Sequence, residues 1–121
     1  MKTLNIGIAS YEEMKARTLA IAKGELEPKP DDPQVWFPSP ESFAKVLSNK
    51  NRALLQVIHQ ERPESILALS TATGRTTGNL SRTLRTMERY GLVRLHRGPR
   101  GTVRPEVPFR DVRLKLDLAH G

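Results

Sequence analysis

The chain of 121 residues has no cysteine, so disulfides and thiolate metal ligands are excluded. Aromatic residues make up only 5% of it (one Trp, two Tyr, three Phe), and the hydrophobic fraction is 37%. A core built from such material is small and aliphatic. No apolar run approaches the roughly 20 residues that cross a bilayer. The start, Met1-Lys2-Thr3-Leu4-Asn5-Ile6, lacks the apolar segment of a signal peptide, so a soluble cytoplasmic protein without membrane contact is expected. There is also no phosphate-cradling glycine loop and no nucleophile elbow. His59, His96 and His120 are scattered without metal-ligand spacing. The acid pairs Glu12-Glu13 and Asp31-Asp32 suit a helix cap and a solvated linker. No catalytic constellation, metal site or cofactor is expected.

Lysine is missing from residues 75–113, where ten arginines face three acids (Glu88, Glu106, Asp111). Elsewhere ten basic and ten acidic residues cancel, so the whole net charge of +7 lies in this stretch. Arginine is the side chain suited to bidentate contact with phosphate and guanine. The asymmetry therefore points to a polyanion, above all nucleic acid.

Hydrophobic periodicity organises the rest. Leu4, Ile6 and Ile8 alternate with Thr3, Asn5 and Gly7 as a half-buried strand does. Ser10 and Glu13 form a capping box for a helix whose apolar face would hold Tyr11, Met14, Thr18, Ile21 and Ala22, with Gly24 ending it. Five of the nine prolines fall between Pro28 and Pro40, so that stretch is extended, with Trp36-Phe37 packing onto a neighbour. Ser39-Pro40-Glu41 opens a short helix through Phe43, Val46 and Leu47.

Ser48 caps a helix burying Leu54, Leu55 and Ile58 and stopped at Arg62 by Pro63. A short helix from about Glu64 to Ala72 and a turn at Gly74 follow. Another helix from about Thr76 to Tyr90 buries Leu80, Leu84 and Met87, and Gly91 ends it. Leu92–Arg97 alternates as a strand, Gly98-Pro99-Arg100-Gly101 is turn chemistry, and Thr102-Val103-Arg104 returns. Val112, Leu114, Leu116 and Leu118 predict a last strand over 112–118.

Helix, short helix, glycine turn, helix and basic hairpin is the order of a winged helix-turn-helix. With Leu80, Leu84 and Met87 inside, the outward positions are read as Thr76, Thr77, Asn79, Arg82, Thr83 and Thr86, with Arg75 and Arg85 beside them. These are groups that can meet base edges and phosphates in a major groove. Arg94, Arg97, Arg100 and Arg104 supply the wing, on phosphates or the minor groove. Asn79 also fits a plain first-turn role, His96 a wing surface, and Arg89 and Arg110 pairing with Glu88 and Asp111.

Gly74-Arg75-Thr76-Thr77-Gly78-Asn79-Leu80-Ser81-Arg82-Thr83-Leu84, with Glu88-Arg89-Tyr90-Gly91-Leu92-Val93, resembles the recognition helix of MarR-like regulators. It also resembles their "leucine, x, x, glutamate, x, x, glycine, leucine, valine" ending, from which Met87 and Tyr90 depart. The run from Pro63-Glu64-Ser65-Ile66 through Pro105-Glu106-Val107-Pro108-Phe109 is similar to small winged-helix DNA-binding proteins of bacteria and archaea. Members of that group are often encoded beside a toxin and regarded as antitoxins. The resemblance covers roughly residues 39–118.

The expectation is a mainly α, α+β protein. Residues 1–38 form a strand–helix arm for dimerisation or partner binding, and residues 39–121 form a winged helix-turn-helix with a C-terminal strand. Its expected partners are double-stranded DNA and a second copy, and its output is repression of its own promoter. The alternative is an antitoxin whose arm binds a toxin protein.

Overall fold

The computed structural model describes residues 2–118. In chain order the elements are β1 (Lys2–Ile8), α1 (Tyr11–Ala22), β2 (Val35–Phe37), α2 (Pro40–Val46), α3 (Asn49–Glu61), α4 (Ile66–Thr73), α5 (Thr77–Arg89), β3 (Arg94–Arg97), β4 (Val103–Glu106) and β5 (Phe109–Lys115). The chain is α+β, and α3 to β4 have the winged helix-turn-helix order. Its residues gather into two compact units, the first built on Thr3–Lys45 with the stretch from Asp111 and the second on Val46–Arg110. The break thus falls after Lys45 and not after residue 38, and the C-terminal strand leaves the helical unit. The reason is pairing: the three-stranded sheet runs β2-β1-β5.

In the first unit β1 is the central strand, and it buries Leu4 and Ile6. β2 runs parallel to it, with Ile6 opposite Val35, Gly7 opposite Trp36 and Ile8 opposite Phe37. Sequence pattern identified this stretch only as extended, because three residues among prolines carry no period. Phe37 is fully buried and meets Phe43 edge-on, ring centres 5.5 Å apart. Trp36 lies over the bare backbone of Gly7 on one side and under the Arg17 guanidinium, 5.4 Å from its ring centre, on another. Arg17 also pairs with Asp32 at 3.1 Å.

That stacking turns α1 away from the expected face. Met14, Arg17 and Ala20 are the half-buried positions, whereas Tyr11 is 76% exposed and Ile21 is exposed as well. The capping box at its start is present: Glu13 N donates to Ser10 Oγ (3.2 Å) and Ser10 N to Glu13 Oε1 (3.0 Å). Those contacts hold the Glu13 carboxyl below its ordinary range, chiefly through the Ser10 amide. The last strand sits three residues earlier than the alternation predicts. Leu116 and Leu118 lie beyond it, and Leu118 is 91% exposed.

The second unit grows from three capped helices. Ser48, Ser65 and Thr76 each accept a hydrogen bond from the amide three residues on, at 3.0 to 3.2 Å. The Ser65 cap is why α4 begins at Ile66 and not at Glu64. α3 ends at Arg62, whose left-handed φ of 48° stops the helix before the buried Pro63. Gly74 takes φ 78° between α4 and α5, a conformation that costs an L side chain about 1–2 kcal/mol. Leu54, Ile58, Leu69, Leu80, Leu84, Met87, Leu92 and Val93 form the core. β3 and β4 pair antiparallel, with Arg94 opposite Glu106, Leu95 opposite Pro105, His96 opposite Arg104 and Arg97 opposite Val103. Among the described residues no polar side chain is buried, and no helix is long and apolar enough to cross a membrane.

A methyl group on Gly7 would stand 2.5 Å from a Trp36 ring carbon and 2.9 Å from Pro33 Cγ. Gly7→Ala is therefore expected to destabilise the protein by about 1–3 kcal/mol. Thermal unfolding monitored by Trp36 fluorescence checks this, and an unchanged midpoint would contradict the packing described.

Candidate nucleic-acid interface

The orientation of α5 follows from its buried stripe. Leu80, Leu84 and Met87 are each 0% exposed, so the residues diametrically opposite face solvent. At helical spacing these are Gly78, Arg82, Arg85 and Arg89, all exposed. The outward face thus keeps the expected Arg82 and Arg85 but is more cationic than the expected set, with Arg89 beside them and fewer of the hydroxyls. Asn79, Thr83 and Thr86 are half-buried on its flank, and only Thr76 and Thr77 of the expected hydroxyls are exposed. Thr76 spends its oxygen on the helix cap. Thr86 donates to the Arg82 carbonyl and accepts from Arg89 at 3.3 Å.

Arg89 was expected to pair with Glu88, and it does not. Glu88 pairs with Arg97 of β3 at 3.4 Å. Arg89 belongs to the outward stripe, and the spacing from Arg82 and Arg85 is the signal that marks it. Asp111 likewise is not taken up by Arg110: it accepts a hydrogen bond from the Thr3 hydroxyl.

Arg75, expected to face outward, turns inward. Its Nε donates to Asn79 Oδ1 (2.8 Å), Nη1 to Asn51 Oδ1 (3.2 Å) and Nη2 to Thr83 Oγ1 (3.1 Å). Partial burial accompanies this and lowers its pKa from the ordinary guanidinium value, with no consequence for its charge at neutral pH. Arg75 thus ties the start of α3 to α5.

The hairpin sorts its cations by face. Arg94, His96 and Arg104 share one face with Glu106, because cross-strand partners point the same way. Arg97 is on the other face, where its contact with Glu88 fastens the hairpin to α5. Arg100 stands at the tip with φ 60°. No ion pair among the described residues engages Arg82, Arg85, Arg94, Arg100 or Arg104. Glu106 accepts from His96 Nε2 at 2.8 Å, which holds its carboxyl below the usual value of 4.5; Arg94 and Arg104 add to this.

Among the described residues no three of His, Asp and Glu come together as metal ligands would. His120 lies outside the described residues.

Residues 46–114 match the family HVO_A0114. The chain belongs to that family. The matched segment takes in α3, α4, α5 and the hairpin entire and ends inside β5. The match thus covers the helical unit, while β1, α1 and β2 lie outside it. No curated protein matches the chain, and no solved structure does.

The Glu106 contact gives a signed pH dependence. A depressed carboxylate pKa stabilises the folded hairpin above the ordinary carboxylate value, and this is lost as pH falls through the lowered one. By carboxyl-carbon NMR, Glu106 should titrate below 4.5 in the native protein and move upward in His96→Gln. Identical titration in the two proteins would mean that the contact is absent in solution.

Proposed function

We propose that the protein is a double-stranded DNA-binding transcriptional regulator, with α5 in the major groove and the hairpin as a wing on phosphates or the minor groove. The carrying observation is the stripe of Gly78, Arg82, Arg85 and Arg89, opposite three fully buried anchors. A major groove admits one helix, and cations on the outward stripe are what base edges and phosphates call for. Arg94, Arg100 and Arg104 extend that field along the hairpin. The likeness of residues 74–93 to MarR-like regulators supports the same assignment. In this reading the regulator acts in the cytoplasm, needs no cofactor, performs no catalysis and represses its own promoter.

Helix-turn-helix proteins gain affinity by setting two such helices about 34 Å apart along the duplex. In this reading two copies of the chain bind one site. The other unit offers apolar side chains for the contact, with Tyr11, Leu19, Ile21 and Leu26 exposed on α1 and the turn after it, and Leu114, Leu116 and Leu118 exposed at the C-terminal end. The same side chains favour a second reading, an antitoxin whose first unit covers a toxin protein. Light scattering separates the two: a dimer of the purified protein that Leu19→Glu reduces to monomer favours the regulator, and a monomer favours the antitoxin.

Each phosphate neutralised releases counterions, so affinity should fall with salt at a log–log slope on the order of −5 to −8 for a dimer. Arg82→Ala should cost roughly 1–3 kcal/mol and relax preference at one base position. Arg100→Gly removes charge while easing a left-handed residue, and should weaken all sequences alike without lowering stability. Mobility shifts across a salt series check these outcomes. Binding indifferent to salt would refute the reading.

A further inference from the structure

Resting on that DNA-binding reading, we propose that Arg75 draws the acceptor oxygens of Asn79 and Thr83 to itself and leaves their donors to meet a ligand. This flank of α5 then recognises the O6/N7 acceptor pair of one guanine and rejects adenine.

A guanidinium has five donors and no acceptor. Its contact with Asn79 therefore decides which end of the amide faces it. Oδ1 lies on Arg75 Nε at 2.8 Å, so the Nδ2 amine is the end directed away. Thr83 receives Arg75 Nη2 on its oxygen at 3.1 Å and keeps its hydroxyl proton to give. Both side chains are half-exposed and remain within reach of a ligand.

The clamp is itself held. Asn51, the third acceptor, donates Nδ2 to the Val46 carbonyl at 3.0 Å, and its own amide N–H is bound by Ser48 Oγ at 3.2 Å. The Arg75 carbonyl accepts from Ser70 Oγ at 2.6 Å, and its N–H donates to Thr73 Oγ1 at 3.3 Å. Arg75 is thus fixed by α3 and α4 before it orients two residues of α5. It touches no base in this scheme and acts as a positioning residue.

The chemistry of the bases then selects. An unconstrained Asn reads adenine bidentately, accepting from N6 and donating to N7. With Oδ1 held on Arg75 Nε, adenine N6 has to compete with a guanidinium for that oxygen, and the acceptor half of the pairing is disfavoured. The major-groove edge of guanine shows only acceptors, O6 and N7, which suits a surface that presents its donors outward. Phosphate oxygens are acceptors too, and the two sources differ in outcome: a base contact carries sequence preference and a phosphate contact does not.

The test is binding-site selection with the full-length protein, followed by affinity measurements on the selected duplex and its single-base variants. We expect one position per half-site where guanine beats adenine by about tenfold or more. 7-Deazaguanine at that position should weaken binding of the unmodified protein, a measurement that needs no variant. Asn79→Ala should erase this one preference and leave the others. Arg75→Met, shown folded by its thermal melt, should admit adenine there, whereas a merely structural defect would weaken every sequence equally. Uniform weakening by Asn79→Ala would assign the contact to phosphate and overturn the proposal, as would a selected adenine lost in that variant. Failure to enrich any sequence, with no salt dependence, would instead overturn the DNA-binding reading beneath it.

Discussion

Leu80, Leu84 and Met87 are the anchors on which the helical unit depends. Each fully buried aliphatic side chain contributes about 1.5–3 kcal/mol relative to exposure, and all three lie on one stripe of one helix. α5 cannot rotate about its axis without bringing them into water. Their burial therefore determines that Gly78, Arg82, Arg85 and Arg89 look outward and that Asn79 and Thr83 sit on a flank. Arg75 adds directional bonds to that non-directional constraint. Hydrophobic burial sets the rotation of the helix, and the guanidinium fork joins it to the start of α3.

The electrostatics of the unit show a division of labour that net charge conceals. Ten arginines lie between residues 75 and 113, yet they do not serve one purpose. Arg75 is engaged inside the helical unit and Arg97 is paired to Glu88. Exposed pairs of this kind contribute little to stability, so the effect of Arg97 is chiefly to orient the hairpin against α5. Arg82, Arg85, Arg94, Arg100 and Arg104 make no ion pair among the described residues and are the cations open to a polyanion. Glu106 is the lone acid on the Arg94–His96–Arg104 face, and its contact with His96 tempers the charge there.

The other unit is organised by one stack, Arg17 over Trp36 over Gly7. It selects the half-buried stripe of α1 and leaves Tyr11, Leu19 and Ile21 exposed. β1 serves as the common partner of β2 and β5, which brings residues distant in sequence into one sheet. The family match begins at residue 46, where the helical unit begins.

Much of this was legible in the chain itself, because it depends on local chemistry. Caps at Ser10 and Ser48, the stop before Pro63, the turn at Gly74 and the period of Leu80, Leu84 and Met87 act within a few residues, and each is found where the pattern puts it. The order of helices and hairpin follows from them, as does the outward place of Arg82. What the chain could not reveal involves partners far apart in sequence. Thr3 meets Asp111, Arg17 meets Trp36, and Arg75 meets Asn51; no periodicity encodes such pairs. Those contacts moved the unit boundary to residue 45, turned α1, ended the last strand at Lys115 and withdrew Arg75 from the surface. The sequence by itself determined the helices, the hairpin and its turn, and where the charge lies, since these follow from backbone propensity and side-chain period. Only the tertiary structure decided which arginines remain available, because a guanidinium takes whatever acceptors the fold brings within about 3 Å.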